Sequence, residues 1–126
     1  MDGWARRFLH ITPTGEVQPC HAAMSIPGLR FDNVRERSLR AIWTDSDAMR
    51  AFRGEAWMKE PCRSCPERAI DFGGCRCQAF ALLGDAAATD PACALSPAHA
   101  LIDSAKRAAA GAPIRFRYRA ASKTVL

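Results

Sequence analysis

The stretch Cys62-Arg63-Ser64-Cys65-Pro66-Glu67-Arg68-Ala69-Ile70-Asp71-Phe72-Gly73-Gly74-Cys75-Arg76-Cys77 decides how this chain is read. It carries a Cys-x2-Cys followed by a Cys-x-Cys, four of the six cysteines in the sequence. Thiols spaced this closely can reach one metal centre together. Free core cysteines account for one or two isolated positions, not for this spacing. A disulfide scaffold belongs to chains matured in oxidising compartments. Here Arg6 and Arg7 are not followed by the apolar run of an export signal. Gly73 and Gly74 leave the backbone free to turn tightly and to approach a bound group. Asp71 can offer a hard carboxylate oxygen to iron, although on the residues alone a solvated loop acid is the better reading.

The spacing bears on which metal is held. Zinc takes four ligands in a tetrahedron, often from two Cys-x2-Cys knuckles or a Cys/His mixture. Cys62-x2-Cys65 forms one such knuckle, but Cys75-x-Cys77 is too tight for a usual second one. Iron–sulfur clusters tolerate more varied spacing, because their ligands bind different irons of a larger object. Adding Cys20 and Cys93 gives six thiols, more than one four-ligand site needs and fewer than two need. Two sites would require ligands that are non-cysteine, shared, or outside this sequence.

Further out, the chain has 126 residues, 48% of them hydrophobic, which predicts one small domain with a modest core. The aliphatic and aromatic content excludes a disordered tail protein. The longest apolar run, Ala79 to Leu83, is far too short to span a bilayer. The net charge of +5 is unevenly spread. Residues 1–93 are neutral and hold every cysteine, while residues 94–126 carry the whole excess. The sequence therefore divides into a cysteine-bearing body, 1–95, and a helix with a basic tail, 96–126.

Local patterns predict an α+β fold. Arg7 to Ile11 and Glu16 to Cys20 are β-prone runs punctuated by Thr12-Pro13-Thr14-Gly15, the pattern of an N-terminal hairpin that delivers Cys20 at a strand end. Ser38 is a candidate N-cap for a helix to Arg53, with Leu39, Ile42, Trp43, Met49 and Phe52 at helical spacing and a break at Asp45 or Ser46. Trp43 reads as core rather than as an electron-transfer aromatic. Arg76 to Leu83 is apolar, and its periodicity does not choose between helix and strand. Ser96-Pro97 opens a helix through about Ala110, with Gly111 as its stop. Ile114 to Arg119 alternates apolar and basic residues, which predicts an edge strand or extended arm. For that tail a solvated face or a contact with another domain outweighs nucleic-acid binding. Docking of an acidic peptide or chaperone is weaker still. His21 beside Cys20 reads as a surface or hydrogen-bonding residue, and His10 and His99 carry no signal.

Together these residues resemble the SPASM domain, the auxiliary-cluster module of radical SAM peptide-modifying enzymes. Gly15-x4-Cys20 matches its early element. Cys62-x2-Cys65-x5-Asp71-x3-Cys75 matches its central one, with Asp71 where the family has a third cysteine, and Cys93 matches its last. The Asp71 substitution and the added Cys77 look most like the PqqA peptide cyclase branch, as do Pro19-Cys20-His21-Ala22-Ala23 and Phe52-Arg53-Gly54. The resemblance implies two auxiliary clusters. Cys62, Cys65, Asp71 and Cys93 would hold a [4Fe–4S] cluster. Cys20, Cys75 and Cys77 would hold a second, [4Fe–4S] or [2Fe–2S], with its fourth ligand upstream of Met1.

The resemblance further implies crosslinking of Glu and Tyr side chains in the PqqA precursor peptide during pyrroloquinoline quinone synthesis. It implies a PqqD chaperone as partner, a cytoplasmic setting, and a radical SAM barrel supplied in cis or in trans. The Cys-x3-Cys-x2-Cys of that barrel does not occur in this sequence, so S-adenosylmethionine would bind only through the barrel. The expectation is an internal methionine start within a longer enzyme, and a piece inactive by itself. The alternative is non-enzymatic, a zinc-binding interaction module with a basic tail.

Overall fold

A computed structural model describes residues 3–111. The basic run Ile114 to Arg119 lies outside the described residues. The element order begins with a two-stranded antiparallel hairpin, β1 (His10–Ile11) and β2 (Val17–Gln18), pairing His10 with Gln18 and Ile11 with Val17. Helices α1 (Leu39–Asp45), α2 (Asp47–Arg50), α3 (Arg68–Asp71), α4 (Arg76–Leu83) and α5 (Ala100–Ala110) follow. A single 3-10 turn, Ala23–Ser25, lies between the hairpin and α1 and packs against α4.

The hairpin forms where Pro and Gly predict it, although its strands are shorter than the β-prone runs. The Gly15 turn closes through Gly15 N–H donating to the Thr12 carbonyl at 2.9 Å. Val17 and Gln18 are buried, so β2 carries Pro19 and Cys20 directly into the interior. Ser38 caps α1, its Oγ accepting from Ala41 N–H at 3.2 Å. The helix breaks at Ser46, one of the two predicted positions. Ser46 is extended and serves as the cap of both α1 and α2.

Leu39 opens α1 and is 42% exposed, while Ile42 and Met49 are fully buried. One expectation needs correction. The last helix begins at Ala100 rather than at Ser96-Pro97. Ser96 is instead buried, donating to the Thr89 carbonyl and accepting from Ala98 N–H, which holds residues 96–99 in a turn. Gly111 is the C-cap of α5, as read from the sequence. The ambiguous run Arg76 to Leu83 is helix, ended by Gly84 in the left-handed region.

The core gathers Trp4, Val17, Cys20, Ile26, Ile42, Met49 and Cys77, so two of the thiols belong to the apolar interior. Trp4 donates its indole N–H to the Ala48 carbonyl at 2.7 Å and meets Phe52 edge-on at 5.2 Å. Phe52 meets Trp57 in the same way at 5.3 Å. Arg53 donates to the Ala5 and Trp43 carbonyls, pinning the N-terminal segment to α1. Trp43 packs against the core beneath the Arg53 guanidinium, in keeping with a core role. No described helix is long and apolar enough to cross a membrane.

Candidate iron–sulfur site

The segment from Cys62 to Cys77 lies between two hollows, and the cysteines divide between them. The larger, about 290 Å³, is lined by Cys20, Cys75 and Cys77, with Trp4, Phe8 and Ile70 forming its apolar wall. The smaller is lined by Cys62, Cys65 and Cys93, with Pro61 and Leu95. Asp71 lines both.

Each thiol is placed by a distinct local device. Cys20 follows β2. Its Sγ accepts from Ala22 N–H at 3.5 Å, a hydrogen bond of the kind that tunes a metal-bound sulfur. Cys75 is the N-cap residue of α4, and Cys77 lies in that helix's first turn. Cys62 and Cys65 share a tight turn, Cys65 N–H donating to the Cys62 carbonyl at 3.2 Å. Cys62 Sγ–H donates to Thr89 Oγ1 at 3.5 Å. Asp71 ends α3, and its Oδ1 accepts from Gly73 N–H at 2.9 Å, so one carboxylate oxygen already supports the loop. All six cysteines are free thiols.

Sequence reasoning passed over Asp90. It is 5% exposed, and its carboxylate accepts from Cys75 N–H at 2.7 Å, from the Gln78 amide at 2.8 Å and from Ala92 N–H at 2.9 Å. Its own carbonyl accepts from Cys93 N–H at 2.9 Å. One residue therefore fixes the backbone of a cysteine on each hollow. The Asp90-Pro91 pair ahead of Cys93 was the available signal, since Asp before Pro favours turn initiation. Gly74 packs on the same residue. Its φ is +77°, and a Cβ there would lie 2.6 Å from Asp90 Cβ. Arg76 was also missed, because a charge between two cysteines reads as solvated, yet it is 3% exposed.

Burial pushes the Cys77 thiol up to about 12, reinforced by Cys20 and then Cys75. Those neighbours surround one volume, and a metal entering it displaces protons the apo site holds tightly. The residues fit an iron–sulfur group on three observations. The donors are thiols with one carboxylate. The larger hollow exceeds the roughly 30 Å³ share of a single water. The buried Nε of Arg76, beside the thiols, has no partner. The smaller hollow is nearly closed, about 10 Å³, so admitting a cluster requires its walls to part. No three His, Cys, Asp or Glu side chains among the described residues are arranged to hold a single metal ion.

Residues 3–66 match the SPASM family, described as an iron–sulfur cluster-binding domain, and the chain belongs to that family. Among curated proteins it is similar to the PqqA peptide cyclase of Methylocella silvestris, 60% identical over 123 residues, covering 94% of this chain and 33% of the relative. The PqqA peptide cyclase of Methylobacterium sp. (strain 4-46) is 65% identical over 100 residues, 79% of this chain and 26% of the relative. That of Bradyrhizobium diazoefficiens is 60% identical over 121 residues, 94% of this chain and 32% of the relative. The chain thus spans about a third or less of the length of these relatives.

Proposed function

We propose that this chain carries two auxiliary iron–sulfur clusters and serves as the auxiliary-cluster portion of a PqqA peptide cyclase. Cys62, Cys65, Asp71 and Cys93 hold one cluster, of the [4Fe–4S] type. Cys20, Cys75 and Cys77 hold the other, with a fourth ligand from outside these residues. The observation that carries the reading is the separation of the six thiols onto two hollows that share Asp71. Bound clusters supply one-electron transfer at potentials set by ligand type, hydrogen bonds and burial. The chain's own residues orient the thiols, exclude water behind Trp4 and Phe8, and hold the loops through Asp90.

In the complete enzyme this portion accompanies a radical SAM barrel, which binds S-adenosylmethionine and acts on the PqqA peptide with PqqD as chaperone. The similarity to the cyclases supports that role. Crosslinking of Glu and Tyr needs the barrel, so the chain by itself is expected to be inactive and to gain activity only when the barrel is supplied.

Anaerobic purification and reconstitution test the reading. A brown protein with iron and acid-labile sulfide in matching amounts is the expected result. A colourless protein with stoichiometric zinc overturns it in favour of a zinc-binding module.

A further inference from the structure

Arg76 stands between Cys75 and Cys77 and is 3% exposed. Its guanidinium donates to the carbonyls of Gly73, Ala86 and Ala88, the last two at 2.9 and 2.7 Å. Its plane lies over the Trp57 ring, 4.5 Å from the centroid. These partners fix the fork in place, but all are neutral, and Nε is buried without an acceptor. Asp90 and Asp71 act on this cation from nearby, but neither bonds the guanidinium, a costly arrangement for a buried charge unless an anion is brought into contact with it. The side chain lines the hollow of Cys20, Cys75 and Cys77. Burial lowers its pKa, while Asp90, Cys62, Cys75 and Asp71 raise it. An arginine begins so far above neutrality that it stays charged.

We propose that Arg76 is a positioning residue for the cluster of Cys20, Cys75 and Cys77, a fixed positive charge on the wall of that hollow that raises the cluster's reduction potential. The proposal rests on the cluster reading above. A cluster gains negative charge when it accepts an electron. A cation fixed nearby in a water-poor interior favours that reduced state. The cluster bound by thiolates in turn brings further negative charge to the guanidinium. A purely structural Arg76, stapling the residue 86–88 segment to α4, would leave the potentials unmoved.

The test is a redox titration, followed by electron paramagnetic resonance, of the anaerobically reconstituted chain and three variants. In Arg76→Met and Arg76→Gln the ratio of reduced to oxidised cluster at fixed poise is expected to fall about tenfold, a downward shift of about 59 mV for a one-electron couple. Arg76→Lys keeps the charge and is expected to stay within about threefold of the unaltered chain, or about half that shift. Unchanged potentials in an iron-replete neutral variant overturn the proposal. So does an Arg76→Lys shift as large as the neutral variants', because the fork rather than the charge would then be responsible. Loss of iron in both neutral variants but not in Arg76→Lys supports a charge requirement, and loss in all three overturns it. Absence of iron and sulfide from the unaltered chain refutes the cluster reading itself, and the inference falls with it.

Discussion

Gly74 shows how much one position can decide. Its positive φ costs an L side chain about 1–2 kcal/mol, and the Cβ would press on Asp90 as well. Gly74→Ala is therefore expected to destabilise the chain by at least that amount and to loosen Cys75, whose N–H depends on Asp90. Chemical denaturation measures the first effect, and retained iron the second. Asp71 makes a different point. Its exposure and its bond to Gly73 N–H are what any loop acid shows; only its place on both hollows distinguishes it. A carboxylate donates less electron density than a thiolate. Asp71→Cys is expected to retain iron while shifting a reduction potential, and an unmoved potential would remove Asp71 from the ligand set.

At the scale of elements, α1 depends on its cap. Ser38→Ala removes the bond to Ala41 N–H and should cost about 1 kcal/mol, read as a lowered denaturation midpoint with an unchanged slope. The turn before α1 carries a pH dependence. The Arg37 guanidinium, bonded to Asp32 at 2.9 Å, holds that carboxyl below its ordinary value, with Ser46 contributing and burial opposing. Its folded pKa is depressed. The stabilisation is therefore complete above the unfolded value near 3.8 and is lost as pH falls through the folded one. The effect should be small, since the pair is partly exposed. Asp32→Asn should flatten the acid limb of a stability–pH curve, and an identical limb would rule the pair out.

The hairpin, the break at Ser46 and the stop at Gly111 were legible because turn and cap chemistry is local. The thiols proposed as ligands stand out in the sequence because cysteine spacing is written in the chain. What stayed hidden depends on residues far apart in sequence. Arg76 is buried by segment 86–88 and by Trp57, and Asp90 matters through a bond to Cys75 fifteen residues earlier. The burial of Ser96, which displaces the helix start to Ala100, likewise comes from Thr89.

Among the described residues the elements are short, and two thiols sit within the apolar core. Cys20 and Cys77 occupy core positions, so a cluster held by them would form one structure with the core. Cluster loading is expected to raise the melting temperature, and iron chelation to return it to the apo value. Equal melting of both forms would show that the hollows are built independently of the metal.

Asp90 extends this coupling to the order of assembly. Its carboxylate steadies Cys75 and its carbonyl steadies Cys93, so under the two-cluster proposal whichever cluster arrived first would prepare the second landing place. Maturation should then be cooperative. Half-filled chains should be scarce during a timed iron titration, and oxygen damage to one cluster should hasten the departure of its neighbour.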